Sequence, residues 1–239
     1  MNKRVLITGG AKGLGAAIAE VFAKNNFDVI ITYLNSEKEA QRLCSFLHDK
    51  YGINAECYRM DVTNESDIKD VLLRVNNLDC LVNNAAYNND CDFFEHSKDE
   101  FMKVLETNLI GSFMVSKYFY NKIAQSNGSI VNVASKNGID TYYPESIDYD
   151  ASKAGLINLT KNMAIAFAPS VRVNAVAPGW INTHNTLDMN HEFKNDELSK
   201  ILLNRFAEPE EIAKLVYFVG IEATYMTGSV VECDGGVRR

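Results

Sequence analysis

Arg4-Val5-Leu6-Ile7-Thr8-Gly9-Gly10-Ala11-Lys12-Gly13-Leu14-Gly15 is an apolar run that stops at a hydroxyl residue and enters a cluster of glycines. The run reads as a buried strand, and from Leu14 onward Leu14, Ile18, Val21 and Phe22 recur at helical spacing. Strand, glycine turn and helix in that order bring free backbone N–H groups and the positive end of a helix dipole to one point, where a diphosphate can bind. Glycine suits such a turn because a side chain would occupy the ligand's volume. A tight turn without a ligand is the plainer reading of the glycines alone. The strand before them and the amphipathic helix after them argue against it.

The same alternation continues along the chain. A second strand at Val29-Ile30-Ile31 precedes a polar helix over about 36–50, and a third, Ala55-Glu56-Cys57-Tyr58-Arg59-Met60, leads to Asp61. A helix near 65–76, a strand at Cys80-Leu81-Val82 and a long helix near 99–123 follow. Then come a fifth strand at Gly128–Val133, a helix over about 149–167 and a sixth strand at Val171–Val176 that Pro178-Gly179 stops. The polar stretch at roughly 182–200 reads as a mobile flap with a short helix. A last helix spans Pro209 to Gly220, with Pro209 in a first turn that needs no N–H and Glu210 and Glu211 at the favourable dipole end, before a closing strand at Val230–Cys233. Short strands separated by helices of ten or more residues imply parallel pairing with helices on both faces. Right-handed crossovers then give an α/β fold, a doubly wound parallel sheet in three α/β/α layers. Nothing marks a linker, so residues 1–239 are expected to form a single domain.

Composition bounds the function. With 24 basic and 31 acidic side chains the formal charge is -7, so the average surface repels a phosphate backbone and nucleic acid is not the expected partner. No segment approaches the roughly 20 apolar residues of a membrane span, and the apolar run after Lys3 and Arg4 is too short for a signal-peptide core. A cytoplasmic protein with no membrane partner is expected. The five cysteines form no close pair and read as reduced thiols. The four histidines are scattered, and no metal is assigned.

Tyr149-Asp150-Ala151-Ser152-Lys153 sets a phenol and an ammonium four residues apart on one helix face. A neighbouring cation stabilises phenolate and draws the tyrosine below its usual value of about 10, which suits proton exchange near neutral pH. Many surface helices carry such a pair. Ser135, just beyond the fifth strand and on the same sheet edge as the glycine turn, strengthens the reading. Asn108 lies inside a predicted helix, where asparagine is mildly unfavourable unless its amide has another task.

Together these residues resemble the short-chain dehydrogenase/reductase family. The similarity spans nearly the whole chain: Thr8-Gly9 with Gly13-x-Gly15, Asn83-Asn84-Ala85-Ala86 in place of the family's NNAG, Asn108, Ser135, Tyr149, Lys153, Asn174–Thr183, Met226-Thr227-Gly228 and Asp234-Gly235-Gly236. The resemblance implies a Rossmann-type fold and hydride transfer between a nicotinamide and a carbonyl or alcohol. Ser135 and Tyr149 would polarise the substrate oxygen, Lys153 would bond the nicotinamide ribose, and the Asn108 backbone would hold a water of a proton relay. It also implies a dinucleotide contact set of Thr8, Gly9, Lys12, Gly13, Leu14, Gly15, Tyr33, Asp61, Val62, Asn84, Ala85, Tyr149, Lys153, Pro178, Gly179, Ile181 and Thr183, with Asp61 on the adenine amino group. No acid stands in Thr32-Tyr33-Leu34-Asn35-Ser36, and Lys12 matches a basic position of NADP-preferring members, so NADP is expected, with NAD as the alternative.

The resemblance is nearest to bacterial 3-oxoacyl-[acyl-carrier-protein] reductases and to the sugar or polyol dehydrogenases close to them. A small-molecule substrate is expected, carried on acyl carrier protein or coenzyme A in the first case. An acidic carrier needs a basic docking patch, for which Lys136, Arg172 and Arg205 are candidates. The pocket is expected near Tyr87-Asn88-Asn89, Asn137-Gly138, Tyr142-Tyr143 and the flap. The resemblance also implies a homotetramer or homodimer. The reading from another class is a dinucleotide-binding regulatory or structural protein without turnover, which leaves Ser135, Tyr149 and Lys153 unexplained.

Overall fold

The computed structural model describes residues 2–183, 186 and 189–237. Seven strands, β1 (Arg4–Ile7), β2 (Asp28–Tyr33), β3 (Ala55–Arg59), β4 (Cys80–Asn83), β5 (Ser129–Val133), β6 (Arg172–Pro178) and β7 (Val230–Cys233), make one sheet in the order β3-β2-β1-β4-β5-β6-β7. Every neighbouring pair is parallel. β1 lies between β2 and β4, so the chain reverses its direction of winding there and opens a crevice beyond the strands' carboxyl ends.

The period of two along the strands assigns the layers. Val5, Ile7, Val29 and Ile31 bury against α1 (Gly13–Lys24), α2 (Glu37–Tyr51) and α8 (Pro209–Tyr217), while Leu6 and Ile30 bury against α3 (Glu65–Arg74), α5 (Ser112–Ala124) and α6 (Ile147–Phe167). This is the expected three-layer Rossmann-type architecture. Phe22 on α1 is fully buried, edge-on to Phe27 at 5.2 Å and to Tyr217 at 5.1 Å. Burying such a ring contributes about 2–3 kcal/mol.

Three differences from the sequence pattern matter for the site. The single helix expected near 99–123 is α4 (Lys98–Leu105), a π turn over Glu106–Gly111, and then α5. The last helix leaves α geometry at Tyr217 and finishes in a second π turn, Phe218–Glu222. The segment read as a flap contains α7 (His191–Lys200), capped where Asn190 Oδ1 accepts from the N–H groups of Glu192 and Phe193. Residues 184, 185, 187 and 188 of that segment lie outside the described residues. Among the described residues no helix is long and apolar enough to cross a membrane.

Candidate active site

The glycine turn is built on Thr8. Its buried hydroxyl accepts the N–H groups of Asn84 and Ala85, both at 3.0 Å, and Asn84 Nδ2 returns to the carbonyls of Thr8 at 3.0 Å and Gly9 at 3.1 Å. Thr8 and Asn84 therefore brace the turn from β4, a task the contact set drawn from the resemblance does not describe. Gly9 and Gly13 have φ of +63° and +54°, the left-handed region where a Cβ is costly. A Cβ at Gly13 would meet nothing closer than Thr183 Cγ2 at 3.9 Å, so open space lies above the turn. At Gly15 it would stand 2.4 Å from the Gly9 carbonyl oxygen, and close packing requires glycine there. Lys12 caps α1 and is exposed. Ala86 replaces glycine without strain, since its φ is not positive.

Ser135, Tyr149 and Lys153 come together as expected. Ser135 follows β5 and lines the same cleft as Tyr149. Its hydroxyl accepts the N–H of Asn137 at 3.2 Å, and Asn137 Nδ2 donates to Asp150 Oδ1 at 2.7 Å. Asp150 Oδ2 takes the N–H of Tyr143 at 3.1 Å, so the residue after Tyr149 organises both loops facing it. Lys153 Nζ lies 5.3 Å from the centroid of the Tyr149 ring and donates to the Val133 carbonyl at 2.8 Å.

The electrostatics correct one expectation. The lysine does not bring the phenol down: burial pushes Tyr149 up to about 12, with the nearby Ser135 hydroxyl opposing it. Burial acts on Lys153 too and brings its ammonium down to about 8. Desolvation disfavours both charged forms, and the group that titrates closest to neutrality is the lysine.

Asn108 is fully buried in the π turn. Its Oδ1 accepts the Tyr87 N–H at 2.7 Å, and Nδ2 donates to the Tyr87 carbonyl at 3.0 Å and to Ser152 Oγ at 3.0 Å. Its own carbonyl accepts Ser112 Oγ at 2.9 Å. The side chain thus ties the loop after β4 to α6, and this task of the amide answers why an asparagine sits there. A π turn in a long helix often marks a functional position, and no spacing in the sequence announces it.

A cleft of about 960 Å³ opens beside these groups, lined by Ser135, Tyr149, Gly179, Ile181 and Thr183 from the expected set. Of the expected pocket residues, Tyr87, Asn88, Asn137, Tyr143 and part of the flap line it. Asn89, Gly138 and Tyr142 do not, and Tyr142 is 75% exposed. Tyr33 lies at a smaller hollow with Arg59, its register partner across β2 and β3. Asp61 lies two residues beyond β3, with Oδ1 accepting from the Thr63 N–H and hydroxyl at 2.9 and 2.7 Å. Val62 is buried against Gly111.

One wall escaped the sequence reading. Trp180 stacks on Phe206 at 5.7 Å, and its Nε1 donates to Glu197 Oε2 at 2.9 Å. The Tyr143 hydroxyl donates to the same carboxylate oxygen, and Lys200 pairs with Oε1 at 2.7 Å. Burial raises the Glu197 carboxyl, but the hydrogen bonds from Lys200, Tyr143 and Trp180 outweigh it and hold the group below its usual range. Glu197 reads as one more charge on a polar helix, and only the fold turns it inward.

The expected basic patch does not form. Lys136 is 3% exposed and enclosed by Asp140 at 2.9 Å, Glu232 and Asp234 at 3.3 Å. Arg172 donates to the carbonyls of Val219, Ala223 and Met226 at 3.0–3.2 Å and to Gly220, closing the second π turn. Arg205 is clamped on both oxygens of Glu211 at 2.6 and 2.7 Å. Each of the three cations has an acceptor within the chain.

Comparison with known proteins agrees with this geometry. The family described as Enoyl-(Acyl carrier protein) reductase matches residues 9–238. A 3-oxoacyl-[acyl-carrier-protein] reductase of Aquifex aeolicus is 39% identical over 243 residues, covering 99% of this chain and 97% of the relative. Carbonyl reductase family member 4 of Xenopus laevis is 35% identical, covering 100% and 99%. The L-sorbose reductase of Gluconobacter frateurii, solved with NADPH and L-sorbose, superposes with a TM-score of 0.90 at 25% identity, covering 99% of this chain and 96% of that one. The chain belongs to the short-chain dehydrogenase/reductase superfamily, and its chemistry is NAD(P)-dependent oxidation and reduction of alcohols and carbonyls.

Proposed function

We propose that this protein reduces a ketone to a secondary alcohol with NADP(H), and that Tyr149 supplies the proton. The observation that carries this reading is that Ser135 and Tyr149 line one wall of the same cleft, with Lys153 Nζ 5.3 Å from the centroid of the Tyr149 ring. Two O–H donors converging on one point stabilise the negative charge that develops on a carbonyl oxygen as it is reduced. With its value near 12, Tyr149 stays protonated at neutral pH and is ready to donate. Lys153, buried with its Nζ 5.3 Å from the ring centroid, would carry the positive charge that faces the phenolate once the proton has left.

The residues present fit a dinucleotide. Gly13 leaves the turn open at the start of α1, where the diphosphate would lie. Lys12 would face the 2'-phosphate and Asp61 the adenine, while Ile181 and Thr183 would border the nicotinamide, which supplies the hydride when bound.

For the substrate, the curated relatives support a 3-oxoacyl thioester. A second reading, a small uncharged polyhydroxy ketone, is favoured by the cleft itself: Asp90, Glu145 and Glu197 are among its lining residues, and its lysine, Lys136, is enclosed by three carboxylates. Such a rim repels an acidic carrier or a phosphorylated arm. The test is NADPH and NADH oxidation against acetoacetyl-coenzyme A, acetoacetyl-carrier protein, L-sorbose and 2,3-butanedione. Turnover of the thioesters alone would remove the second reading, turnover of the ketose alone would remove the first, and no oxidation with any would overturn the enzymatic proposal for these classes. A homo-oligomer accords with Ile110, Phe113 and Ile165, apolar side chains exposed between α4 and the end of α6; a monomeric mass by light scattering would remove it.

A further inference from the structure

Ser135 and Asn137 share a hydrogen-bonded turn at the cleft wall. The Asn137 N–H donates to Ser135 Oγ at 3.2 Å, and Ser135 Oγ donates to Asn137 Oδ1 at 3.3 Å. Both residues line the cleft, as does Tyr149. The other end of the Asn137 amide is held from α6: Nδ2 donates to Asp150 Oδ1 at 2.7 Å, while Asp150 Oδ2 accepts the Tyr143 N–H at 3.1 Å.

A carboxylate only accepts, whereas an amide has one accepting and one donating end. A flipped Asn137 amide would set oxygen against oxygen at 2.7 Å. With its NH2 committed to Asp150, the amide has to keep its oxygen on the Ser135 side, so Asp150 fixes an acceptor beside the serine hydroxyl. That hydroxyl has a single proton, and it goes to Asn137 Oδ1. To polarise a substrate carbonyl the proton has to turn away, and Oδ1 then loses its donor. An acceptor left without a donor is costly.

A substrate that brings its own hydroxyl to that place removes the cost. The oxygens of a carbonyl and of a hydroxyl on the next carbon stand side by side when they point the same way, a spacing that suits the 3.3 Å between Ser135 Oγ and Asn137 Oδ1. A 3-oxoacyl thioester has no hydroxyl on that carbon. A 1,2-diketone would set a second acceptor against Oδ1.

We infer that Asn137, locked by Asp150, is a specificity-determining residue that selects α-hydroxy ketones, accepting the substrate hydroxyl at Oδ1 while Ser135 donates to the adjacent carbonyl. This rests on the reading of the protein as a reductase of small polyhydroxy ketones. Hydride from NADPH on the ketone carbon and the Tyr149 proton on its oxygen would give a vicinal diol and NADP+. Asp150 acts through the amide, as a positioning residue.

The test follows NADPH oxidation by the full-length protein with hydroxyacetone, methoxyacetone and 2-butanone beside the acetoacetyl thioesters. Methoxyacetone keeps the electron-withdrawing oxygen of hydroxyacetone but carries methyl in place of the donor proton, and 2-butanone has methyl in place of the hydroxyl. Wild type is expected to favour hydroxyacetone over both by about tenfold or more in kcat/KM, the equivalent of one hydrogen bond. In Asn137→Ala the preference should shrink to within about threefold. In Asp150→Asn, where an amide can face Asn137 either way round, it should fall between the two. A merely structural role for either residue would lower turnover of all three ketones together and leave the ratio unmoved. Equal kcat/KM for hydroxyacetone and methoxyacetone in wild type, or a preference that survives intact in Asn137→Ala, overturns the inference and leaves ketone reduction standing. The wild-type comparison needs no variant, so it decides the question should Asn137→Ala fail to fold. Oxidation of NADPH with the thioesters alone, or with none of the compounds, removes the polyhydroxy-ketone reading and the inference with it.

Discussion

Gly138 lies directly on the main chain of Lys153: a Cβ at position 138 would stand 2.6 Å from the Lys153 carbonyl carbon and 2.7 Å from the Ala154 nitrogen. Backbone against backbone cannot give way as a flexible side chain can. The short turn carrying Ser135 and Asn137 is therefore held at its distance from α6 by the absence of one methyl group. Gly138→Ala is expected to lever that turn away, costing about 1–3 kcal/mol of stability and lowering kcat tenfold or more. Thermal unfolding and steady-state kinetics check the two effects separately.

Tyr149→Phe removes one hydroxyl and leaves the ring packed. Turnover should fall by about two to four orders of magnitude, the range of a lost acid–base group. NADPH affinity by fluorescence titration should stay within a few-fold of wild type. Full turnover in the variant would sink the assignment.

Lys153 gives the pH dependence its sign. With its value brought down to about 8 by burial, the ammonium is present below that pH and lost above it. Reductive kcat should decline as pH rises through about 8. Stability runs the other way for this group: from about 8 up to the ordinary lysine value of 10.5 the unfolded chain binds the proton more readily, so this contribution to stability grows with pH. Lys153→Met should accordingly gain most over wild type at neutral pH, and the gap in Tm should close toward pH 10.5.

Glu197→Leu would leave Trp180 Nε1 and the Tyr143 hydroxyl without their shared acceptor. An unpaired buried donor costs about 1–3 kcal/mol, so the Tm should drop by several degrees. Substrate KM should rise more than kcat falls, because the residues released belong to the cleft wall. An unchanged Tm would mean that α7 is not anchored through this carboxylate.

Lys12→Ala tests the choice of cofactor. Loss of one exposed cation from a phosphate should raise the KM for NADPH by about three- to tenfold and leave that for NADH nearly unchanged. Equal effects on both would assign Lys12 to the surface.

The layers of the fold were legible because short uninterrupted apolar runs such as Val5-Leu6-Ile7 alternate with segments of helical period such as Ile18, Val21 and Phe22. Ser135, Tyr149 and Lys153 were legible as a group because strand ends and a helix face suffice to bring them together. What escaped depends on partners distant in the chain. Glu197 looks solvent-facing until Tyr143 and Trp180 close over it, Lys136 looks free until Glu232 and Asp234 arrive from β7 and its end, and the bracing of the glycine turn by Thr8 appears only when Asn84 arrives from the end of β4. The π turn at Asn108 escaped for another reason: Leu105, Leu109 and Ile110 keep a helical apolar rhythm, and a single extra residue does not disturb it visibly.

That extra residue sets an angular offset for everything after it. Each residue of an α-helix turns the chain by about 100°, so removing one position between 106 and 111 would give a more regular, locally better bonded helix while swinging Ser112, Val115, Ser116 and Phe119 out of phase with the sheet they pack on. The irregular turn works as a phase shifter between two helical segments that must present different faces, and a shortened chain would trade a cleaner helix for a misaligned core.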